Sequence, residues 1–174
     1  HSYEVFCSIL ENHYTANNIF PTDGCLEIFN FLKEREIKIA LTTGFYRKVT
    51  NIILGKLGWL NGLNSNYVGN KNSIIQASIA SDEVLKGRPE PLMIHKAMSL
   101  LNVHDSMRVI NIGDTPSDLK SGIRAGCRMS LGVTNGTHTR QQLSVHRNDG
   151  FLSKISDLKQ FIKNIDHALV YEKV

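Results

Sequence analysis

Asp114 and Asp118 stand four residues apart in the run Gly113-Asp114-Thr115-Pro116-Ser117-Asp118, directly after an apolar stretch over 108–112. Two carboxylates so spaced, one before a helix and one in its first turn, can share a hard divalent cation. Mg²⁺ takes only one or two carboxylates and keeps waters for a substrate phosphate. Folding chemistry explains part of this run: Thr115 suits an N-cap, Pro116 the first helical position, and Asp118 the acidic partner of a capping box. Asp114 is left over. A charge at the end of an apolar strand needs a cation or hydrogen bonds.

Arg88 is the second candidate, in Lys86-Gly87-Arg88-Pro89-Glu90-Pro91. The following proline biases it toward extended backbone, and a guanidinium reads phosphate bidentately. Lys86 could make that contact instead, or both could be solvated cations in a turn. The third is Thr42-Thr43-Gly44 at the end of the run 37–41. Its glycine lets backbone N–H groups approach an anion, although two β-branched residues and a turn glycine also end an ordinary strand. The polar loop Thr134-Asn135-Gly136-Thr137-His138-Thr139-Arg140 falls on the same edge, as substrate contact or as plain surface. There is no P-loop, no G-x-G-x-x-G and no Cys/His cluster.

These residues follow strands in a chain that alternates. Apolar spacing predicts helices over 2–16, 25–35, 46–57, 91–101, 117–125, 140–145 and 156–165, and strands over 37–41, 108–112 and 129–133. Asn17-Asn18 and Pro21-Thr22-Asp23-Gly24 mark a linker over 17–24, and the Asn/Gly/Ser-rich segment 61–73 is a loop. Such alternation means βαβ units and a parallel sheet, with ligands beyond the carboxyl ends of the strands.

Composition fits one α/β domain: 174 residues, 41% hydrophobic, 21% charged. The net charge of +4 is dispersed and not interleaved with aromatics, so it suits an anionic small molecule and gives no nucleic-acid footprint. No apolar run reaches the length of a membrane span. Cys7, Cys25 and Cys127 are widely separated, indicating free thiols in a reducing, cytoplasmic setting.

A strand ending in T-T-G, then G-R-P-x-P, then G-D-T-P-S-D-L-K-S-G-x-x-A-G resembles the haloacid dehalogenase (HAD) superfamily. It is most similar to the phosphonatase-like branch, in which Arg replaces the usual motif-three Lys. The similarity runs from about Pro21 to the C-terminus. It implies a Rossmann-like core of parallel sheet and flanking helices over 18–174, with 1–17 as the last helix of a mobile cap. Thr43 would hold the phosphoryl group beside the Gly44 amide, and Arg88 would neutralise its oxygens. Asp114 would bind Mg²⁺ directly, with Asp118 supporting the ion or its waters. Gly132 to Gly136 is similar to the family's G-V-x-x-G stretch. The family's nucleophile motif D-x-D-x-[TAV] has no counterpart: the first aspartate, Asp23, lies in a turn. The resemblance therefore implies a chain lacking its first strand and most of its cap, inactive alone, from a Mg²⁺-dependent phosphatase working through an aspartyl-phosphate. Its substrate would be a small phosphate ester, or alternatively phosphonoacetaldehyde. A homodimer is left open. The reading from another class is a binding module that shares the scaffold and has no nucleophile.

Overall fold

The computed structural model describes residues 2–171. Helices and strands alternate along it: α1 (Ser2–Ala16), α2 (Cys25–Lys33), β1 (Ala40–Thr42), α3 (Arg47–Lys56), β2 (Ala77–Ile79), α4 (Leu92–Leu100), β3 (Ile110–Gly113), α5 (Pro116–Arg124), β4 (Met129–Val133), α6 (Arg140–Ser144), β5 (Phe151–Leu152) and α7 (Leu158–Tyr171). Every ladder between these strands is parallel. β1 pairs with β2, Ala40 opposite Ala77, and β3-β4-β5 form a second sheet, with Ile110 opposite Met129 and Val133 opposite Leu152. The chain thus has the expected α/β class.

Two strands went unpredicted. β2 lies in Ile74-Ile75-Gln76-Ala77-Ser78-Ile79, where the polar Gln76 and Ser78 break the apolar run. Both are buried because both are bonded. The Gln76 side-chain oxygen accepts from the Ile39 amide (2.8 Å), and Arg47 donates to the Ser78 hydroxyl (3.1 Å). The same Gln76 bond shortens β1, which starts at Ala40 rather than 37. β5 has only two residues, too few for a period to show. β3 likewise begins at Ile110, after a 3₁₀ turn at Ser106–Arg108 whose Met107 amide is capped by Asp105 (2.9 Å).

The larger of two apolar clusters spans both sheets, while Ala77 and Ile79 of β2 pack with Met93 and Ala97 of α4 in the other. Ile28, Ile75, Leu131 and Leu152 are buried in the larger one, and Leu41, Ile110 and Ile112 pack against them. Exposure is uneven. All of β2 and the middle of β4 are buried, whereas no residue of β1 or β3 is. Among the described residues each of these two half-exposed strands ladders on one side only.

A buried polar zipper places α5 over β3 and β4. Asn111 donates to the Asp118 carbonyl and to the Ser130 hydroxyl, which donates to the Leu119 carbonyl, each at 3.0 Å. Gly122 permits that approach, since a Cβ there would stand 2.4 Å from the Ser130 hydroxyl oxygen.

α1 is attached differently. It has no buried residue and leaves Tyr3, Val5, Phe6 and Ile9 exposed. Polar contacts with α3 and its N-cap hold it: Tyr46 donates to Glu11 (3.0 Å), Lys48 pairs with Glu11 (2.7 Å), and Lys56 donates to the carbonyls of Thr15 and Asn17 (2.5 and 2.7 Å). Residues 17–24 that follow form neither helix nor strand, as their punctuation predicts. Among the described residues no helix is long and apolar enough to cross a membrane.

Candidate active site

The carboxyl ends of β1 and β3 meet through Arg88. The Thr43 amide extends the β1 ladder by donating to the Ile79 carbonyl (3.1 Å), and the Thr43 hydroxyl then accepts from the Phe45 amide (3.1 Å). That turn brings Gly44 against Arg88, whose nearest guanidinium nitrogen would lie 3.2 Å from a Cβ on Gly44. Arg88 itself precedes a cis peptide bond to Pro89. Its turn is tied to α5: Ser121 donates to the Glu90 carbonyl (3.0 Å) and Arg124 pairs with the Glu90 carboxylate (2.6 Å).

From there the Arg88 guanidinium contacts the Asp118 carboxylate, a pair nearly closed to solvent on the aspartate side. The other Asp118 oxygen accepts from the Thr115 amide (3.0 Å) and hydroxyl (2.6 Å), while the Asp118 amide donates back to the Thr115 hydroxyl oxygen (3.2 Å). The expected capping box is therefore present, with Pro116 at the first helical position. Asp118 does two jobs at once, capping α5 and anchoring Arg88.

Asp114 is placed otherwise. One of its oxygens, Oδ2, accepts from the Thr137 amide (2.7 Å) and hydroxyl (2.9 Å). The Asp114 backbone amide also helps hold the carboxylate. Burial alone would push this carboxyl up, but the Thr137 bonds and the nearby Arg88 charge outweigh it and hold Asp114 below the ordinary carboxylate value. Burial also draws the Arg88 pKa down, partly offset by Asp114.

Beside these groups opens a cavity of about 360 Å³, lined by Thr43, Gly44 and Arg88 and by Phe6, Leu10, Phe45 and Tyr46. Its polar end is the strand-end cluster, and its other wall is apolar and includes α1. Of the two cations considered for an anion, Arg88 lines the cavity and Lys86 does not; Lys86 is exposed. The structure thus brings Thr43, Gly44, Arg88, Asp114 and Asp118 to one edge. The cavity wall from α1 and Phe45-Tyr46 has no signal in the sequence, because apolar residues there read equally well as helix packing. Nor did it assign Thr137 a role, although its loop follows β4 on the same edge.

The sequence profile of the haloacid dehalogenase-like hydrolases matches residues 2–131. The chain belongs to this family. Among its relatives is a phosphonoacetaldehyde hydrolase of Bacillus cereus, 34% identical over 134 residues, which are 77% of this chain and 44% of that protein. Another phosphonoacetaldehyde hydrolase, from Bacillus thuringiensis, is 30% identical over 154 residues, or 88% of this chain and 48% of its own length. The chain therefore spans under half the length of these curated relatives. The fold is similar to the crystal structure of a phosphonoacetaldehyde hydrolase like protein from Oleispira antarctica, with TM-score 0.76 and 19% identity over 96% of this chain and 64% of that one. A haloacid dehalogenase-like hydrolase from Bacteroides fragilis superposes with TM-score 0.63 at 24% identity, covering 80% of this chain and 59% of that one. The hydrolase family is thus shown, and within it a phosphonatase-like kinship.

The donor set suits the ion that such a hydrolase would use. Among the described residues no three His, Cys, Asp or Glu side chains gather round one point. A site with Asp114 ionised and both Thr137 donors on one of its oxygens matches an ion that takes one or two carboxylates and fills its shell with water and phosphate. It does not match zinc, which wants nitrogen or sulfur ligands and more of them.

Proposed function

We propose that this chain is the phosphoryl-gripping part of a Mg²⁺-dependent hydrolase acting on a small phosphorylated or phosphonate metabolite. The observation that carries this is the convergence of Arg88 and the Thr43-Gly44 turn at one end of a cavity whose other wall is apolar, with Asp114 near enough for its charge to act on Arg88. Arg88 offers two donors to phosphoryl oxygens, the Thr43 hydroxyl and Gly44 amide offer two more, and Asp118 holds Arg88 in place. Asp114 supplies the carboxylate ligand, and Asp118 supports the site through Arg88 and Thr115. Bound there, Mg²⁺ would neutralise charge on the transferring group.

The nucleophile is proposed to come from a strand outside this chain. β1 and β3 each ladder on one side and are half-exposed where β2 and β4 are buried, which leaves room for a strand at the site's edge. An aspartate at its end would attack phosphorus and expel the ester oxygen; water would then cleave the acyl-phosphate. Residues 1–17 are read as the closing helix of a cap, with Phe6 and Leu10 on the substrate side. A cytoplasmic setting goes with this reading.

The second reading is cleavage of the carbon–phosphorus bond of phosphonoacetaldehyde, favoured by the 34% identity to enzymes of that name. Such a reaction needs a lysine to form an imine, and among the described residues no lysine lines the cavity. The deciding experiment gives the full-length protein with Mg²⁺ a panel of small phosphate esters alongside phosphonoacetaldehyde, with borohydride trapping. Phosphate release from an ester without a trapped adduct supports the first reading, and a trapped adduct with phosphonoacetaldehyde supports the second. No phosphate from any substrate refutes both and favours the binding module.

A further inference from the structure

Thr137 belongs to a polar loop that function had no claim on, and its two donors converge on a single oxygen of Asp114. The loop is anchored at both ends. Upstream, the Thr134 amide donates to the Leu152 carbonyl (3.0 Å) at the end of β4. Downstream, Thr139 caps α6 in a reciprocal box with Gln142 (2.9 and 3.3 Å). Between them Gly136 lies so close to Asp114 that a Cβ there would come within 2.3 Å of Oδ2. Only a residue without a side chain lets the loop fold over the carboxylate.

We infer that Thr137 is a positioning residue: it clamps Oδ2 of Asp114 in one rotamer so that Oδ1 faces the divalent cation. This rests on the reading of Asp114 as the metal ligand. A carboxylate with one oxygen saturated by two donors has a single free oxygen to give, which biases it to monodentate coordination. That geometry is what an octahedral ion with several retained waters requires. Fixing the rotamer beforehand also removes the entropy of ordering the ligand from the cost of binding. The hydroxyl is itself oriented: His138 Nδ1 lies 3.0 Å from the Thr137 oxygen, so when the hydroxyl proton points to Asp114 the imidazole can donate to the oxygen's other side.

The test compares Thr137→Val, which keeps shape and amide but loses the hydroxyl, with Thr137→Ser, which keeps both donors. The three-bond coupling between the Asp114 amide nitrogen and its side-chain carboxyl carbon reports the rotamer with no metal present. Electron paramagnetic resonance titration with Mn²⁺ reports ligand strength. The expected result is a single-rotamer coupling in wild type and Thr137→Ser, an averaged coupling in Thr137→Val, and Mn²⁺ binding weakened about 10-fold by Val and restored by Ser. A Thr137→Val chain with wild-type coupling and affinity would overturn the inference. If wild type binds no Mn²⁺, the metal reading fails while the coupling still decides whether Thr137 holds the carboxylate.

Discussion

The two aspartates of the candidate site should respond very differently to loss of charge. In Asp118→Asn one carboxylate oxygen becomes an amine, which cannot accept. Either the Arg88 contact or the pair of bonds from Thr115 must go. Losing the capping box costs about 1 kcal/mol, and losing a charge-assisted bond to a largely buried Arg88 about 1.5–3 kcal/mol. Some of the latter is screened, since the Arg88 side chain keeps 25% of its exposure. Only one set of bonds is lost, but Arg88 loses its charged partner either way, so the cost is about 1.5–3 kcal/mol. Asp114→Asn keeps an oxygen for both Thr137 donors, which sit in an exposed loop, so its cost stays under about 1 kcal/mol. At about 2–4 °C per kcal/mol for a chain of this size, Asp118→Asn should melt about 1–12 °C below Asp114→Asn. Thermal and urea denaturation of both variants, followed by circular dichroism, measures the gap. Equal midpoints, or Asp114→Asn the less stable, would refute the assignment of Asp118 as the anchor.

Arg88→Lys keeps the charge and loses the planar fork, so kcat/KM of the full-length enzyme should fall about 100-fold or more, read from steady-state phosphate release. Stability should also depend on acid through Glu83. Burial raises its pKa, but the bonds from Arg47 and the Ala80 amide outweigh this and hold it below its ordinary 4.5. A depressed carboxyl contributes stability above that ordinary value and loses it as pH falls from about 4.5 through the folded value; Glu83→Gln should flatten the urea-midpoint profile there. Leu131, with no exposed surface, lies at the centre of the core, and Leu131→Ala should cost about 2–5 kcal/mol by urea denaturation.

The elements that show in the sequence are those whose apolar spacing or end signals can be read locally. α5 declared its start through Thr115 and Pro116, and β4 stands where its apolar run predicts, at Met129–Val133. β2 was hidden because Gln76 and Ser78 read as solvent-facing, and only the Ile39 amide and Arg47 guanidinium, distant in sequence, explain their burial. The site divides along the same line. Asp114 was legible because an unpartnered charge after an apolar strand is costly whatever the fold. Thr137 was not, since a threonine in a polar loop costs nothing until the fold brings it 2.7 Å from Asp114.

The charges at the site also constrain the order in which ligands can arrive. Arg88 contributes one positive charge against the carboxylates of Asp114 and Asp118, so the cluster is net negative by one before any ligand enters. A phosphate dianion approaching that cluster meets one guanidinium already bound to Asp118 and a second carboxylate held ionised by Thr137. A divalent cation reverses the balance to net positive by one, and repulsion becomes attraction. On the proposed function, Arg88 alone would not make an anion site, and metal would bind before or together with the phosphoryl group. Titrating inorganic phosphate into the chain by calorimetry should show affinity at least 10-fold higher with saturating Mg²⁺ than with chelator. Asp114→Asn should bring the metal-free balance to zero and lose most of that enhancement. Phosphate affinity that ignores Mg²⁺ would mean that Arg88 and the Thr43-Gly44 turn suffice, and that Asp114 serves the loop instead of an ion.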